Sequence, residues 1–405
     1  MQQTDRGNTL ILFFTLVVVM LGFGIIIPLM GTYVDSFGAS GRQMGLLTAS
    51  FAAMQFIFAP MWGSLSDRYG RKKILVIGAL GFGLSQLLFG LATELWMLFA
   101  ARSLAGILSS ATAPTAMAYI SDSTTKENRG GGMGIMGAAM GVGMTLGPGV
   151  GGLLARKSLS TPFFVAAGLA AVAAILIATV LPESLPPERR DRTRTVRGPQ
   201  LREMWHALTG PNAILFVMAF LLSFALTNYE GVFSLYALER FGYGPQRVAT
   251  IMMMTGVGGA VMQGLITGPV TRRWGEATVI RVSLLATAIG FVAMTLATDY
   301  WTVAATTLFF ILSNSMLRPA VASLTSQRAE DGQGVAMGLN NSFMSLGRVV
   351  GPILAGSLLD VWVTLPFLSG AVIMTAGFVV SLLWLTDDRT PRGLLRRARE
   401  GSAAD

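Results

Sequence analysis

The sequence predicts an all-α membrane protein of twelve transmembrane helices, arranged as two six-helix bundles related by pseudo-two-fold symmetry. Three observations predict it. The 405 residues are 52% hydrophobic and only 13% charged, roughly half the charged share of a soluble domain. Apolar runs of bilayer-spanning length recur along the chain. Short motifs also repeat in the same order at one nearly constant offset.

The apolar runs cover 9–33, 43–65, 74–92, 95–120, 131–155, 161–181, 212–238, 247–270, 278–297, 300–324, 334–358 and 364–385. Each supplies about the twenty residues that a helix needs to cross the hydrocarbon core. The first run follows a short polar start and lacks a small-residue cleavage site, so it reads as a span rather than a signal peptide. The 48 glycines suit close helix packing in lipid.

Charge placement sets the orientation. Of the 30 lysines and arginines, Arg42, Arg156, Lys157, Arg240 and Arg247 fall on one side, and Arg102, Arg318 and Arg348 lie inside apolar runs. All the others fall on the opposite side, which the positive-inside rule makes cytoplasmic. Both termini are therefore expected in the cytoplasm. The net charge of +9 reflects this topology, and no nucleic-acid partner is expected.

Residues 183–210 break the pattern. They are charged and Pro-punctuated, and they read as a cytoplasmic linker with a short surface helix near 200–208. The expected organisation is a bundle at 1–182, the linker at 183–210, a second bundle at 211–388 and a basic tail at 389–405. The halves are related: MTLGPGVGG at 144–152 returns as RVVGPILAG at 348–356, and GSLSDRYGR at 63–71 as GPVTRRWGE at 268–276. Pro114 pairs with Pro319 and DSFG at 35–38 with ERFG at 239–242. Parallel six-helix repeats are a mark of transporters with a midplane substrate site.

The loop Gly63-Ser-Leu-Ser-Asp67-Arg68-Tyr-Gly70-Arg71-Lys72 resembles the signature loop of the major facilitator superfamily. The run containing Gly143, Gly147-Pro148, Gly151 and Gly152 is similar to its antiporter motif, and Arg102 to its helix-4 arginine. The stretches 227–242 and 338–352 resemble Gram-positive quinolone and multidrug efflux pumps. The resemblance spans nearly the whole chain. It implies the major facilitator fold, with Gly63, Asp67, Arg68, Gly70 and Arg71 as a conformational latch. The second-half loop has Arg272 in place of Asp67, so its latch is expected to be weaker or absent.

Charges within the apolar runs cost at least ~2.5–3.5 kcal/mol at a helix centre unless paired or hydrated. Glu230 is the one carboxylate placed clearly mid-segment. It reads as a proton-loading or substrate-binding group, or as the structural partner of Arg318 or Arg348. The resemblance ties Arg102 to proton coupling. Relatives place an acid where this chain has Ser315 and a neutral polar residue in place of Arg348. A cavity with three arginines would favour neutral, zwitterionic or anionic amphiphiles, unless Arg348 pairs with Glu230.

Candidate cavity residues share helix faces at i, i+4, i+7 spacing. They are Phe51, Gln55 and Phe58, then Tyr229, Phe233 and Tyr236, then Asn341, Ser345 and Arg348, with Arg318 added. Lipid-facing aromatics would show the same spacing. Met252, Met253 and Met254 form either a soft binding surface or ordinary packing. Asp122 reads as a helix-end anchor.

Cysteine is absent, and the single histidine, His206, lies in the linker, so no metal site and no cofactor are expected. There is no Walker-type loop and no nucleophile–His pair, so enzymatic function is disfavoured. The expected activity is proton-coupled efflux of small hydrophobic or amphiphilic compounds by a monomer in a bacterial cytoplasmic membrane. A lipid or lysolipid flippase of the same fold is the alternative.

Overall fold

The computed structural model describes residues 2–124, 129–190, 198–210, 212–329 and 332–385. The basic tail expected at 389–405 lies outside these residues. Among the described residues, twelve helices are long and apolar enough to cross a membrane: α1 (Leu16–Asp35), α2 (Gly41–Tyr69), α3 (Arg71–Gly90), α4 (Leu95–Ser123), α5 (Met136–Leu154), α6 (Thr161–Thr179), α7 (Ala213–Phe241), α8 (Pro245–Trp274), α9 (Glu276–Leu296), α10 (Tyr300–Gln327), α11 (Gln333–Leu359) and α12 (Leu365–Trp384). Helical backbone closes most of its own hydrogen bonds, the condition for crossing lipid. The chain is a multi-pass, all-α membrane protein with the expected number of spans.

Tryptophans mark the span ends. Trp96, Trp274, Trp301 and Trp384 sit at helix termini, Trp362 follows α11, and Trp205 lies on the linker helix Leu201–Thr209. All six are exposed. Amphipathic indoles settle at the headgroup level, which suits these positions near span ends. The seventh, Trp62, points inward and donates its indole N–H to the Ile107 carbonyl at 2.6 Å.

The paired prolines break their helices in the same way. Proline has no N–H and clashes with the carbonyl four residues earlier. Pro114 thereby frees Ser110, where the helix Leu95–Ser109 ends and Thr112–Ser123 begins. Pro319 frees Ser315, where Tyr300–Ser315 gives way to Leu317–Gln327. The Ser315 carbonyl accepts the Gln263 amide at 3.5 Å. Gln263 lies in a π-helical turn, Met262–Ile266, within α8, a feature the sequence reading did not anticipate.

The chain divides into two compact units, Met1–Pro199 with Glu230–Gly256, and Gln200–Tyr229 with Val257–Asp405. In the first, α5 lies against α1 through glycines. A Cβ at Gly143 would stand 2.5 Å from Met20 Cβ, and one at Gly147 2.5 Å from Gly24 Cα. A Cβ at Gly151 would collide with the Ile25 carbonyl. In the second, α11 lies against α7 at the positions 204 residues on. A Cβ at Gly347 would stand 2.5 Å from the Phe220 carbonyl, and one at Gly351 2.9 Å from the Asn228 amide. The sequence repeat is thus a repeat of helix contacts, in which small residues let backbones approach closely.

The outer parts of α7 and α8 pack within the first unit. Ser234 Oγ of α7 accepts the Gly31 amide at 3.0 Å. Met253 of α8 lies over Gly149 and Ala249 over Gly152.

Candidate functional site

The signature loop turns on one glycine. Gly70 ends α2 and precedes α3 with φ of +103°, a backbone region costly for residues with a Cβ. A Cβ there would also collide with the Glu183 carboxylate. This turn aims Arg71 back across the bundle. Its guanidinium meets Asp67 Oδ1 at 2.6 Å, donates from Nε to Asp122 Oδ2 at 3.0 Å and from Nη1 to Ser66 Oγ at 2.6 Å. The Arg71 backbone N–H donates to Glu183 Oε1 at 2.8 Å, and Glu183 lies 3.7 Å from Arg190.

Arg71 is buried, so the cost of removing its charge from water falls on these charge-assisted bonds. Asp122, read from sequence as an anchor, is an ion-pair partner of Arg71. Glu183 and Arg190, read from sequence only as linker residues, lie against this loop in the structure. The PESLPPERR stretch immediately after α6 was the available signal. Arg68, by contrast, stays exposed beside its neighbour Tyr69, and Gly63 has open space where a Cβ would go.

The second-half loop keeps this architecture with its polarity reversed. Gly275 has φ of +80°, and Glu276 takes the place of Arg71. Its Oε1 accepts from Ser323 Oγ at 3.1 Å and from Gln327 Nε2 at 2.9 Å. Gln327 stands 205 residues after Asp122, as Glu276 does after Arg71. The expected weakening at Arg272 therefore omits a feature: an anionic tether to α10 replaces the cationic tether to α4.

Arg102 projects from α4 onto α2. Gly106, one turn on, permits the approach, because a Cβ there would lie 2.5 Å from the Phe51 carbonyl and 2.7 Å from Met54 Cβ. The guanidinium sits 5.0 Å from the centre of the Phe51 ring. Phe23 touches Phe51 at 6.0 Å and stacks on Phe82 at 4.1 Å. The Arg102 Nε is buried and makes no hydrogen bond among the described residues. A desolvated cation–π contact is worth about 2 kcal/mol, less than the ~2.5–3.5 kcal/mol cost of arginine at a helix centre. The group is incompletely satisfied and able to gain a partner.

The three candidate cavity stripes differ. Phe51, Gln55 and Phe58 are half-buried, as are Glu230, Ser345 and Arg348, while Asn341 and Arg318 are exposed. Ser345 Oγ donates to the Asn341 carbonyl at 2.9 Å. Tyr229, Phe233 and Tyr236 are fully buried. The Tyr229 ring rests 5.2 Å from Phe310 of α10, and Tyr236 Oη accepts from Arg240 at 3.2 Å.

A family profile described as Major Facilitator Superfamily matches residues 12–296 and 215–404. The chain belongs to the major facilitator superfamily. Multidrug resistance protein 2 of Bacillus subtilis is 34% identical over 93% of this chain and 94% of its own length. Quinolone resistance protein NorA of Staphylococcus aureus is 30% identical over 92% and 95%. Among solved structures, the human organic anion transporter MFSD10 has a TM-score of 0.68 at 21% identity, covering 93% of this chain and 99% of its own. The nucleoside transporter NupG reaches 0.76 at 14%, covering 94% and 99%. These structures share the fold. Membership in this superfamily makes the chain a membrane transporter.

Proposed function

We propose that this transporter exports small hydrophobic or amphiphilic compounds, including drugs, from the bacterial cytoplasm in exchange for protons. The observation that carries the reading is near-full-length similarity to the B. subtilis multidrug resistance protein. Glu230 in α7 is the proposed proton-loading group, and Arg102 the cation that responds to its charge. Protonation from outside and substrate arrival from inside would each bias the transporter toward a different state, as alternating access requires. Asp67, Gly70 and Arg71 act in the latch, with Gly147, Pro148 and Gly151 as the packing surface that α5 presents. Gly63, Gly143 and Gly152 complete the two motifs. The two repeats at 1–182 and 211–388, a monomeric assembly and cytoplasmic termini complete the proposal.

Glu230→Gln should abolish proton-driven efflux from proteoliposomes while the protein still folds and binds substrate. Undiminished uphill transport in that variant would place the proton site elsewhere. Removing the charge of Arg348 should shift a resistance panel toward cationic compounds. An unchanged panel would leave Arg348 a structural residue.

A further inference from the structure

A pocket of about 610 Å³ opens beside the latch, between the start of α3, the end of α6 and the first linker residues. Its lining divides sharply by chemistry. Val76, Ile77 and Ala178 form an apolar wall, and Lys72, Lys73, Arg190 and Glu183 gather at one end. Glu183 is already committed, accepting the Arg71 and Leu185 amides at 2.8 and 3.1 Å and lying near Arg190. Lys72 and Lys73 make no hydrogen bond or ion pair with a described residue. Both lie in the first turn of α3, a position from which lysine reaches the lipid headgroups.

We propose that this pocket binds an anionic phospholipid of the cytoplasmic leaflet. Its phosphate lies among Lys72, Lys73 and Arg190, and an acyl chain runs along Val76, Ile77 and Ala178. Two features select this occupant. Three cations against one committed carboxylate leave a positive end that complements a phosphodiester. The apolar wall continues onto exposed Leu80, Val172 and Ile175 of the same two helices, as an acyl chain needs and a free anion does not. A zwitterionic lipid would bring its own ammonium into the cationic end, so the site discriminates by charge.

The test uses purified full-length protein in detergent, titrated with phosphatidylglycerol or with phosphatidylcholine of the same chains and read by native mass spectrometry. The first bound phosphatidylglycerol should hold about tenfold more tightly than phosphatidylcholine. It should also raise the unfolding temperature, as a ligand of the folded state does. The combined Lys72→Gln, Lys73→Gln and Arg190→Gln variant should bring the two lipids within about twofold, whereas Lys72→Arg with Lys73→Arg should keep the preference. Ala178→Trp retains every charge but fills the apolar wall, and it should also reduce binding. Equal binding of the two lipids by the unaltered protein would overturn the proposal, as would a preference that survives the triple variant or undiminished binding in Ala178→Trp. Loss of the preference in Arg272→Gln with Arg273→Gln would show a diffuse charge effect, and displacement by glycerol phosphate alone would show a free-anion site. Either result would reject the lipid. If the triple variant does not fold, the wild-type comparison and Ala178→Trp still decide.

Discussion

The signature motif presents Gly63 and Gly70 as equals, but the structure predicts opposite responses to alanine. At Gly70, φ of +103° imposes on any Cβ-bearing residue a strain of about 1–3 kcal/mol. The new methyl also collides with the Glu183 carboxylate, which must move and release the Arg71 amide and Arg190. A hydrogen bond to a charged group is worth about 1.5–3 kcal/mol. The Glu183 side chain is 24% exposed, so water recovers part of that and about 1 kcal/mol is lost. Gly70→Ala should therefore destabilise the protein by about 3 kcal/mol, more than a hundredfold in the folding equilibrium. Gly63 lies inside α2 with open space around its Cβ position. There alanine removes backbone freedom from the unfolded chain and should gain about 0.5–1 kcal/mol. Equilibrium unfolding in mixed detergent micelles, followed by tryptophan fluorescence, measures both. Equal stability of Gly70→Ala and the parent, or equal loss in the two variants, would refute the argument.

The α5 glycines should divide in the same way. Gly151→Leu drives a side chain into the Ile25 backbone and should cost about 1–3 kcal/mol or more, while Gly141→Ala, with open space at its Cβ position, should gain about 0.5–1 kcal/mol in the same unfolding assay. Asp299 caps α10, and its carboxylate accepts the backbone N–H groups of Thr302 and Trp301. These bonds, led by that from Thr302, hold its pKa below the ordinary value. The cap's contribution is present above the ordinary carboxylate range and is lost as pH falls through the depressed value. Asp299→Asn, which keeps a capping oxygen, should flatten that part of the pH dependence of the unfolding temperature. An unchanged pH profile would assign the dependence to another group.

Much of the fold was legible because the bilayer imposes a local rule. A span must be apolar over about twenty residues, so α1 to α12 can be counted without knowing any contact. The offset repeat was legible for a related reason: Gly147 and Gly351 are kept small by equivalent helix contacts. The site was legible only where one loop carried it, as in Asp67 to Arg71. Glu183 was not, because its partner Arg71 lies more than a hundred residues away, and Arg190, which pairs with Glu183, carries no local mark that distinguishes it from other linker charges. Arg102 could be singled out by its cost in the membrane, but its ring partner could not.

The sequence by itself determined the number of spans, their pairing across the repeat and the loop that turns at Gly70, since apolar length, periodicity and glycine spacing are properties of neighbouring residues. Only the tertiary structure decided which glycines are pressed against another backbone. It also decided that Arg102 faces Phe51, that Glu276 answers Arg71 with the opposite charge, and that a basic pocket forms beside the latch. Each of these depends on the approach of helices distant in the chain, which packing sets and composition does not.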